Sequence, residues 1–258
     1  MSEPFPTAQT EGSGQWVSIS DLMSGLMIVF LMVAVFYMIR MNEEKQEVED
    51  VAKVYWNTRA SLSKALEEAF KDDFPRWQAE YRPESLSVRF KAPDVLFAEN
   101  DTTVTQAFQE ILNDFFPRYT AILNHPSFRD HIAEVRIEGH TSTSWTNRTA
   151  DEEVKYLGNM NLSQRRTLAV LKYILSLSEM AKYKKWLRPR LTANGLSYSK
   201  LLCVHGERRT EVCRDDEEAA ILEDETASRR VEFKVRTDAE EQMARILRKI
   251  HRQRDASL

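Results

Sequence analysis

The sequence contains few of the residues that mark catalytic and nucleotide-binding proteins. Its 258 residues include 7 glycines and 2 cysteines, and neither a glycine-rich phosphate loop nor a nucleophile elbow occurs in it. Its net charge of -4 offers no basic excess of the kind that nucleic-acid binding usually requires. We therefore predict no enzymatic activity, no cofactor, no metal site and no direct contact with nucleic acid.

Charge is also missing from one long segment near the N-terminus. Residues 22–39 include no Asp, Glu, Lys or Arg, and with residues 16–21 they would form a helix of about 36 Å, enough to cross a bilayer. The tail before them has no Lys or Arg, whereas a cleaved signal peptide usually begins with basic residues. We therefore predict a short tail over residues 1–15 and a retained transmembrane helix over residues 16–41.

Residues 42–83 are charged and have helical periodicity. Their apolar positions fall near a heptad seam formed by Val48, Val51, Tyr55, Leu62, Leu66 and Ala69. Two interpretations stay open: an amphipathic helix that lies on its own domain, or a parallel dimer stalk that continues the membrane helix. In either case the segment links the membrane helix to the globular part.

Strands alternate with helices through residues 84–237. Apolar patterns predict strands at residues 86–90, 135–137, 191–196 and 231–235 and helices at residues 103–123 and 162–177. This order predicts an α+β fold, in which a β/α sandwich with a mixed sheet forms one domain. Residues 238–258 are predicted to form a basic terminal helix or tail.

Asp21 is an ionisable residue within the predicted transmembrane helix. Burying a charge in a bilayer costs several kcal/mol, so such a residue usually carries or binds ions. Ser18, Ser24 and Gly25 around it are small enough to let another helix approach the carboxylate closely. The alternative is that Asp21 lies at the membrane interface, shortly after Trp16, and only caps the helix.

Three short motifs in the globular part carry the other candidate residues. The first, residues 135–141, leads a strand into a glycine turn, the second lies at residues 159–166, and the third places Arg229 and Arg230 before a strand. His140 in the first motif suggests a metal or catalytic role, but no second histidine or cysteine lies nearby at ligand spacing. We therefore interpret His140 as a structural residue of the turn.

In this order the three motifs resemble the OmpA-like peptidoglycan-binding domain, over residues 84–237. That family has a GHTD turn, a helix with the pattern N-x-x-L-S-x-x-R-A and a terminal N-R-R-V-E strand. The membrane segment WVSISDLMSGLMIVFLMV is similar to that of the B subunits of flagellar stators, the MotB-like class. Helix and domain together resemble the B subunit of the Zorya anti-phage defence system more than a flagellar subunit.

The resemblance implies a binding site for the diaminopimelate end of the peptidoglycan stem peptide. Its candidate residues are Thr141, Ser142, Asn159, Leu162, Arg166, Arg229 and Arg230. Arg166 matches the family's arginine, whose guanidinium pairs with the ligand carboxylate. Ser142 stands where the family has the aspartate that receives the ligand's ammonium group, and Asp151, Glu152 and Glu153 are candidates to replace that aspartate.

The resemblance also implies an ion-driven motor in the bacterial inner membrane. A homodimer of the chain would stand inside a ring of MotA-like A subunits, about five in number. Asp21 would alternate between protonated and ionised forms as ions, protons rather than sodium, pass. The C-terminal domain would bind peptidoglycan, and the A subunits would reach defence effectors in the cytoplasm. The alternatives are a flagellar-type stator subunit and a passive tether between membrane and wall.

Two indications of membrane orientation conflict. The positive-inside rule would place the end of the helix with Arg40 and Lys45 in the cytoplasm, because the N-terminal tail has no basic side chain. A wall-binding domain must instead lie outside the membrane. We follow the resemblance and predict a cytoplasmic N-terminus and a periplasmic C-terminal domain.

Cys203 and Cys213 lie in a polar loop before the last predicted strand. A disulfide between them would stabilise the protein by about 2–3 kcal/mol through the entropy of loop closure, and the periplasm is oxidising enough to keep it. A zinc site is the alternative, with His205 between the cysteines, but four ligands are lacking. Some OmpA-like domains have a disulfide in that loop, so the resemblance favours the disulfide.

Overall fold

The structure is a computed structural model, and it describes residues 13–91, 93–98, 101–145, 149–205, 208–210 and 222–238, with residues 244 and 248. The chain divides into two compact units, the first ending at Val54 and the second beginning at Tyr55. The predicted terminal helix over residues 238–258 lies almost wholly outside the described residues.

Helix α1 (Ser13–Phe70) is the longest element of the chain, with 58 residues. Within it, Ser20–Glu43 has a mean hydropathy of 2.5 and none of its most apolar window is buried. At 1.5 Å per residue these residues extend about 36 Å, which is enough to cross a bilayer. The segment predicted to span the membrane is therefore helical, apolar and long enough to do so.

The second unit contains two sheets and several helices. The strands in chain order are β1 (Ala79–Arg82), β2 (Ser87–Phe90), β3 (Ile132–His140), β4 (Leu191–Gly195), β5 (Cys203–His205), β6 (Arg208–Thr210), β7 (Leu222–Glu223) and β8 (Arg230–Thr237). The helices after α1 are α2 (Pro93–Leu96), α3 (Gln106–Leu123), α4 (Glu152–Ser176), α5 (Lys184–Leu187) and α6 (Glu225–Ser228), with a 3-10 helix at Ser178–Tyr183.

The larger sheet has the strand order β1-β2-β8-β3-β4. Strands β3 and β4 pair in parallel, as is usual where a helix such as α4 connects two strands. The remaining pairs of this sheet are antiparallel, and the smaller sheet, β6-β5-β7, is antiparallel throughout. The α+β class and the mixed sheet predicted from the sequence are confirmed.

The apolar core lies between one face of the larger sheet and the helices. Alternation along β3 and β8 turns Val135 and Ile137, with Phe233, toward this face. The ring of Phe115 on α3 is at its centre. Five aromatic rings have centroids 4.9–6.0 Å from that of Phe115: Phe70, Trp77, Phe90, Tyr119 and Phe233. Helix α3 is fixed at its start by Thr105, whose hydroxyl accepts a hydrogen bond from the Phe108 amide.

The boundary predicted at residue 84 differs from the structure. Leu62, Leu66 and Phe70 at the end of α1 are buried in the core, and Trp77 follows them. Their spacing by four residues is the core-facing stripe of a helix that packs on its own domain. The first of the two interpretations therefore holds for the end of α1, and the compact unit includes residues that were assigned to the linker. A dimer stalk over the earlier residues stays a prediction.

Helix α4 begins ten residues before the helix predicted at residues 162–177. Asp151 caps it by accepting a hydrogen bond from the Glu153 amide at 3.0 Å. Asn159 and Leu162, which match the family's helix-start positions, consequently lie inside α4. In the sequence, Asp151 is one of three consecutive acidic residues, and nothing marks it as the cap. Periodicity alone therefore could not give the first residue of α4.

Candidate functional site

Two glycines allow α4 to lie directly against the ends of β3 and β4. A Cβ atom on Gly139 would come within 2.9 Å of the Ser163 carbonyl oxygen. A Cβ atom on Gly195 would come within 2.3 Å of the Gln164 backbone nitrogen. No larger residue fits this close approach without moving the helix. The glycine turn recognised in the sequence thus fixes the distance between the helix and the sheet.

Polar contacts hold α4 at the same edge. The Gly195 amide donates to the side chain of Gln164 at 2.7 Å, and the Ser197 amide donates to the Ser163 hydroxyl at 3.1 Å. The Thr141 amide in turn donates to the Ser197 carbonyl at 2.9 Å. The residues of α4 are therefore positioned rigidly with respect to the turn after β3.

Arg166 projects from α4 into a pocket at this edge. Its Nε donates to the Asp101 carbonyl oxygen at 2.9 Å, and its guanidinium lies 4.9 Å over the Phe97 ring. Burial lowers the pKa of Arg166, and the positive charge of Arg229 lowers it further. The Nε of Arg229 is buried and has no hydrogen-bond partner among the described residues. Two guanidiniums near one another in a partly buried pocket favour an anionic ligand.

The pocket brings together three predicted residues, Arg166, Arg229 and Arg230, beside His140. Arg230 differs from the other two in its contacts. Its Nε donates to the Glu232 carboxylate at 2.6 Å, and its Nη1 donates to backbone carbonyls at 3.1 Å. Arg166 and Arg229 are therefore the pocket cations without a carboxylate partner among the described hydrogen bonds, while Arg230 belongs to a network within the sheet.

The other predicted residues do not line that pocket. Thr141 and Ser142 are buried directly after β3, and Asn159 is buried on α4. The hydroxyl of Thr141 and the Nδ2 of Asn159 have no hydrogen-bond partner within the part of the chain that the structure describes. Leu162 is partly exposed and lies one turn before Arg166. These side chains therefore lie outside the lining of the arginine pocket.

The acids predicted to replace the family's aspartate have other partners. Asp151 caps α4, and Glu152 pairs with Lys155 at 2.7 Å. About 20 Å of helix separates these acids, with Glu153, from Arg166, which is too far for one small amino acid to contact both. They do not replace the aspartate at the arginine pocket.

Glu223 contacts the turn instead, and the sequence did not indicate it. Its carboxylate accepts hydrogen bonds from the Thr143 amide at 3.1 and 3.3 Å and from the Thr143 hydroxyl. The carboxylate of Glu225 accepts from the Ser144 hydroxyl. Glu223 is 80 residues from Thr143 in the chain, so only the folded arrangement reveals the contact.

Asp21 lies on the exposed apolar part of α1. Ser24 and Gly25 share its helix face, being three and four residues further along. The Ser24 hydroxyl donates to the Ser20 carbonyl at 2.8 Å, and nothing lies within 4 Å of the position a Cβ would take on Gly25. The face beside the carboxylate therefore has room for a partner helix.

A relative of known family shows the family of this chain, although a family model does not. No family model matches the sequence. Over 233 residues the chain is 41% identical to the Zorya protein ZorB of Escherichia coli, and the alignment covers 90% of this chain and 92% of that protein. The chain belongs to the ZorB family. The crystal structure of a MotB-like protein from Desulfovibrio vulgaris is 18% identical and has a TM-score of 0.40, with 69% of this chain and 94% of that chain covered.

The recognition of a Zorya B subunit from the sequence is confirmed by the identity to ZorB. That identity extends along nearly the whole of both proteins. The flagellar alternative is not favoured. The roles of the individual site residues stay predictions.

In this member of the ZorB family, the face of the larger sheet that is turned away from the apolar core carries a row of charged residues. The strand register places Glu80, Arg89, Glu232 and Glu138 side by side on β1, β2, β8 and β3. Glu232 accepts hydrogen bonds from Arg89 at 2.9 Å and Arg230 at 2.6 Å. Burial alone would raise the pKa of Glu232, but Arg230, His140 and Arg89 together lower it to about 2. Arg89, Glu232 and Arg230 form a buried ion-pair network, and the partly exposed Glu80 pairs with Arg89 at its edge.

His140 is buried next to this network. Its Nε2 lies 3.7 Å from Glu138 and 3.8 Å from Glu232, and neither ring nitrogen makes a hydrogen bond in the described part of the chain. Burial lowers the pKa of His140, so the ring is neutral at pH 7. The three side chains could hold a metal ion by distance, but the Glu232 oxygen facing His140 already accepts from Arg89 and Arg230. Two guanidiniums compete with a cation there, so the geometry favours the ion-pair network.

Cys203 is buried at the start of β5 and is not a free thiol. Cys213, its predicted partner, lies outside the described residues. His205, the third residue of the zinc alternative, ends the same strand. The disulfide stays a prediction.

Proposed function

We propose that the chain is the wall-anchored B subunit of an ion-driven motor of the bacterial inner membrane that acts in anti-phage defence. The observation that carries the proposal is the 41% identity to the Zorya protein ZorB over 90% of the chain. In this proposal the two units of the structure have different roles. An apolar helix carries the ion-binding carboxylate, and an α+β domain carries the site for the wall.

The ion-carrying group is Asp21. It is a carboxylate on a helix that is long and apolar enough to cross a membrane. Small residues on the same face let the helices of the A subunits approach it. Protonation and release of Asp21 change which helix contacts are favoured, and this couples a proton current to movement of the surrounding ring. No cofactor takes part.

The wall contact is made by Arg166 and Arg229. Their guanidiniums pair with the carboxylate of a diamino acid in the peptidoglycan stem peptide. Thr141, Ser142 and Asn159 hold the turn and the helix around them. Binding to the wall requires that the domain lie in the periplasm, which places the N-terminus in the cytoplasm.

The assembly contains two copies of the chain within a ring of about five A subunits. A second copy is expected because the resemblance to MotB-like B subunits implies a pair of chains. The A subunits carry the signal to cytoplasmic effectors. Cys203 and Cys213 form a disulfide in the periplasmic loop, and two observations support it: Cys203 is buried, and Cys203 is not a free thiol.

The decisive variant is Asp21→Asn. Asparagine is nearly isosteric and still forms hydrogen bonds, so packing against the A subunits should survive, but it cannot take up and release a proton. We expect complete loss of phage protection in cells that carry the whole Zorya gene set, with unchanged recovery of the A subunit in a pull-down. Asp21→Glu moves the charge by one methylene and should give partial or no protection.

Glu43→Gln is the matched control, because Glu43 is an exposed carboxylate at the end of the same apolar segment. It should leave protection unchanged. Full protection by Asp21→Asn would end the ion-motor proposal and favour a passive tether. Loss of protection together with loss of the A subunit from the pull-down would show that Asp21 acts in assembly.

A further inference from the structure

The proposed wall site has a partner for the carboxylate of its expected ligand but none for the ammonium group. A diamino acid presents an ammonium group as well as a carboxylate, and a buried or half-buried ammonium needs an acidic partner. The arginine pocket contains no Asp or Glu among the described residues that line it. Ser142, at the position where an acid is expected, is 2% exposed and cannot carry a charge.

We propose that Glu223 supplies the missing carboxylate and receives the ammonium group of the ligand. This inference rests on the proposed wall-binding function and names the residue that gives it specificity for a free amine. The carboxylate that Ser142 does not provide would thus come from a different strand of the fold.

The position of Glu223 is fixed by the smaller sheet. Glu223 pairs with Cys203 across β7 and β5, and the next amide, of Asp224, donates to the Leu202 carbonyl at 2.8 Å. From this strand the carboxylate reaches the amide and hydroxyl of Thr143. Thr143 directly follows Ser142, so the carboxylate lies beside the turn at which the family's aspartate would stand.

The chain segment that contains Glu223 also contributes Arg229, one of the cations that line the pocket. Glu223 and Arg229 are separated by Asp224 and α6, and Arg229 leads into β8. Glu223 contacts the turn that follows His140, and Arg229 lines the pocket beside His140. An acid and a guanidinium from one short segment therefore flank the end of β3, as recognition of a zwitterion requires.

The same turn contains a buried hydroxyl without a described partner. Thr141 is 3% exposed, and its hydroxyl has no hydrogen-bond partner in the described chain. Buried hydroxyls are rarely left without a partner unless a water, an ion or a ligand is missing. The Glu223 carboxylate can also accept hydrogen bonds beyond those from Thr143, because a carboxylate accepts about four hydrogen bonds and an ammonium donates three.

The alternative is that Glu223 only stabilises the turn. Glu223→Gln separates the two roles, because the amide oxygen still accepts from Thr143 while the negative charge is lost. Glu225→Gln is the matched control, since Glu225 lies on the same segment and accepts a hydrogen bond from the neighbouring Ser144.

The experiment measures co-sedimentation of the full-length, detergent-solubilised protein with purified peptidoglycan that contains meso-diaminopimelate. The same peptidoglycan with its free amines acetylated is the second probe. We expect Glu223→Gln to weaken binding by about tenfold or more, the usual effect of losing a charge-assisted hydrogen bond. Acetylation should weaken wild-type binding to a similar extent and should not weaken Glu223→Gln further.

The outcomes distinguish this inference from the function on which it rests. If the wild-type protein binds neither probe, wall binding itself is refuted, and the role of Glu223 with it. If the wild type binds and Glu223→Gln binds equally well, only the assignment of Glu223 is overturned. Further loss on acetylation in Glu223→Gln, or an equal loss in Glu225→Gln, would also overturn it. Equal thermal unfolding temperatures for the variants and wild type show that folding is not the cause.

Discussion

Glu232→Gln tests whether the buried ion pairs of the larger sheet stabilise the domain. Glu232 is 4% exposed and accepts from Arg89 at 2.9 Å and Arg230 at 2.6 Å. Glutamine keeps the shape but removes the charge. Arg89 keeps its pair with Glu80 at 3.1 Å, while Arg230 loses its carboxylate in a buried position. Breaking a buried pair on one side costs about 3–5 kcal/mol.

The pKa of Glu232 gives a similar magnitude. A decrease from 4.5 to about 2 corresponds to about 3 kcal/mol of stabilisation of the ionised form. For a domain of this size, 3–5 kcal/mol lowers the melting temperature by about 6–20 °C. Thermal unfolding at pH 7, followed by circular dichroism of the full chain in detergent, measures the change in the folded domain.

Two comparisons make this prediction specific. Glu152→Gln removes a carboxylate that is largely exposed and paired with Lys155 at 2.7 Å, so its effect should stay within about 0.5 kcal/mol. The folded pKa of Glu232 is below its unfolded value, so its stabilisation is present above about pH 4.5 and is lost as pH falls toward 2. Wild type and Glu232→Gln should therefore converge in acid. Equal melting temperatures at pH 7 would refute the network's contribution.

Arg166→Ala should lower peptidoglycan binding by the full-length protein at least tenfold, because it removes a guanidinium that pairs with the ligand carboxylate. Arg165→Ala is the control, because Arg165 is an exposed neighbour in α4. Equal binding by both variants would contradict the assignment of Arg166 to the site. His140 has a folded pKa below its unfolded value, so the unfolded state takes up its proton first and stability should decrease as pH falls below about 6.5, by up to about 1.4 kcal/mol per pH unit. His140→Gln should flatten this dependence in chemical unfolding between pH 7.5 and 5.5, and an unchanged slope would contradict the buried neutral ring.

Local patterns in the sequence predicted much of the fold. The apolar run before Arg40 predicted the exposed helical segment, and alternation predicted β2, β3, β4 and β8 within a few residues. These elements depend on nearest neighbours along the chain. Leu62 and Trp77 were assigned to the linker because a stripe that faces a partner helix and one that faces its own domain have the same spacing.

The candidate site was predicted less completely. Arg166 could be recognised because it lies within a local motif on α4, close in sequence to Asn159. Glu223 could not, since its contact with Thr143 joins residues far apart in the chain and follows from the pairing of β5 with β7. The ion pairs of Glu232 likewise depend on the order of strands in the sheet, which periodicity does not determine.

The most direct test of the account is a proton-flux measurement on the complex of this chain with its A subunit in liposomes that contain a pH-sensitive dye. An imposed pH gradient should dissipate faster in liposomes with the wild-type complex than in empty liposomes. The Asp21→Asn complex, assembled to the same extent, should be no faster than empty liposomes, because asparagine cannot carry the proton. Equal flux through the wild-type and Asp21→Asn complexes would contradict the claim that Asp21 is the ion-carrying group.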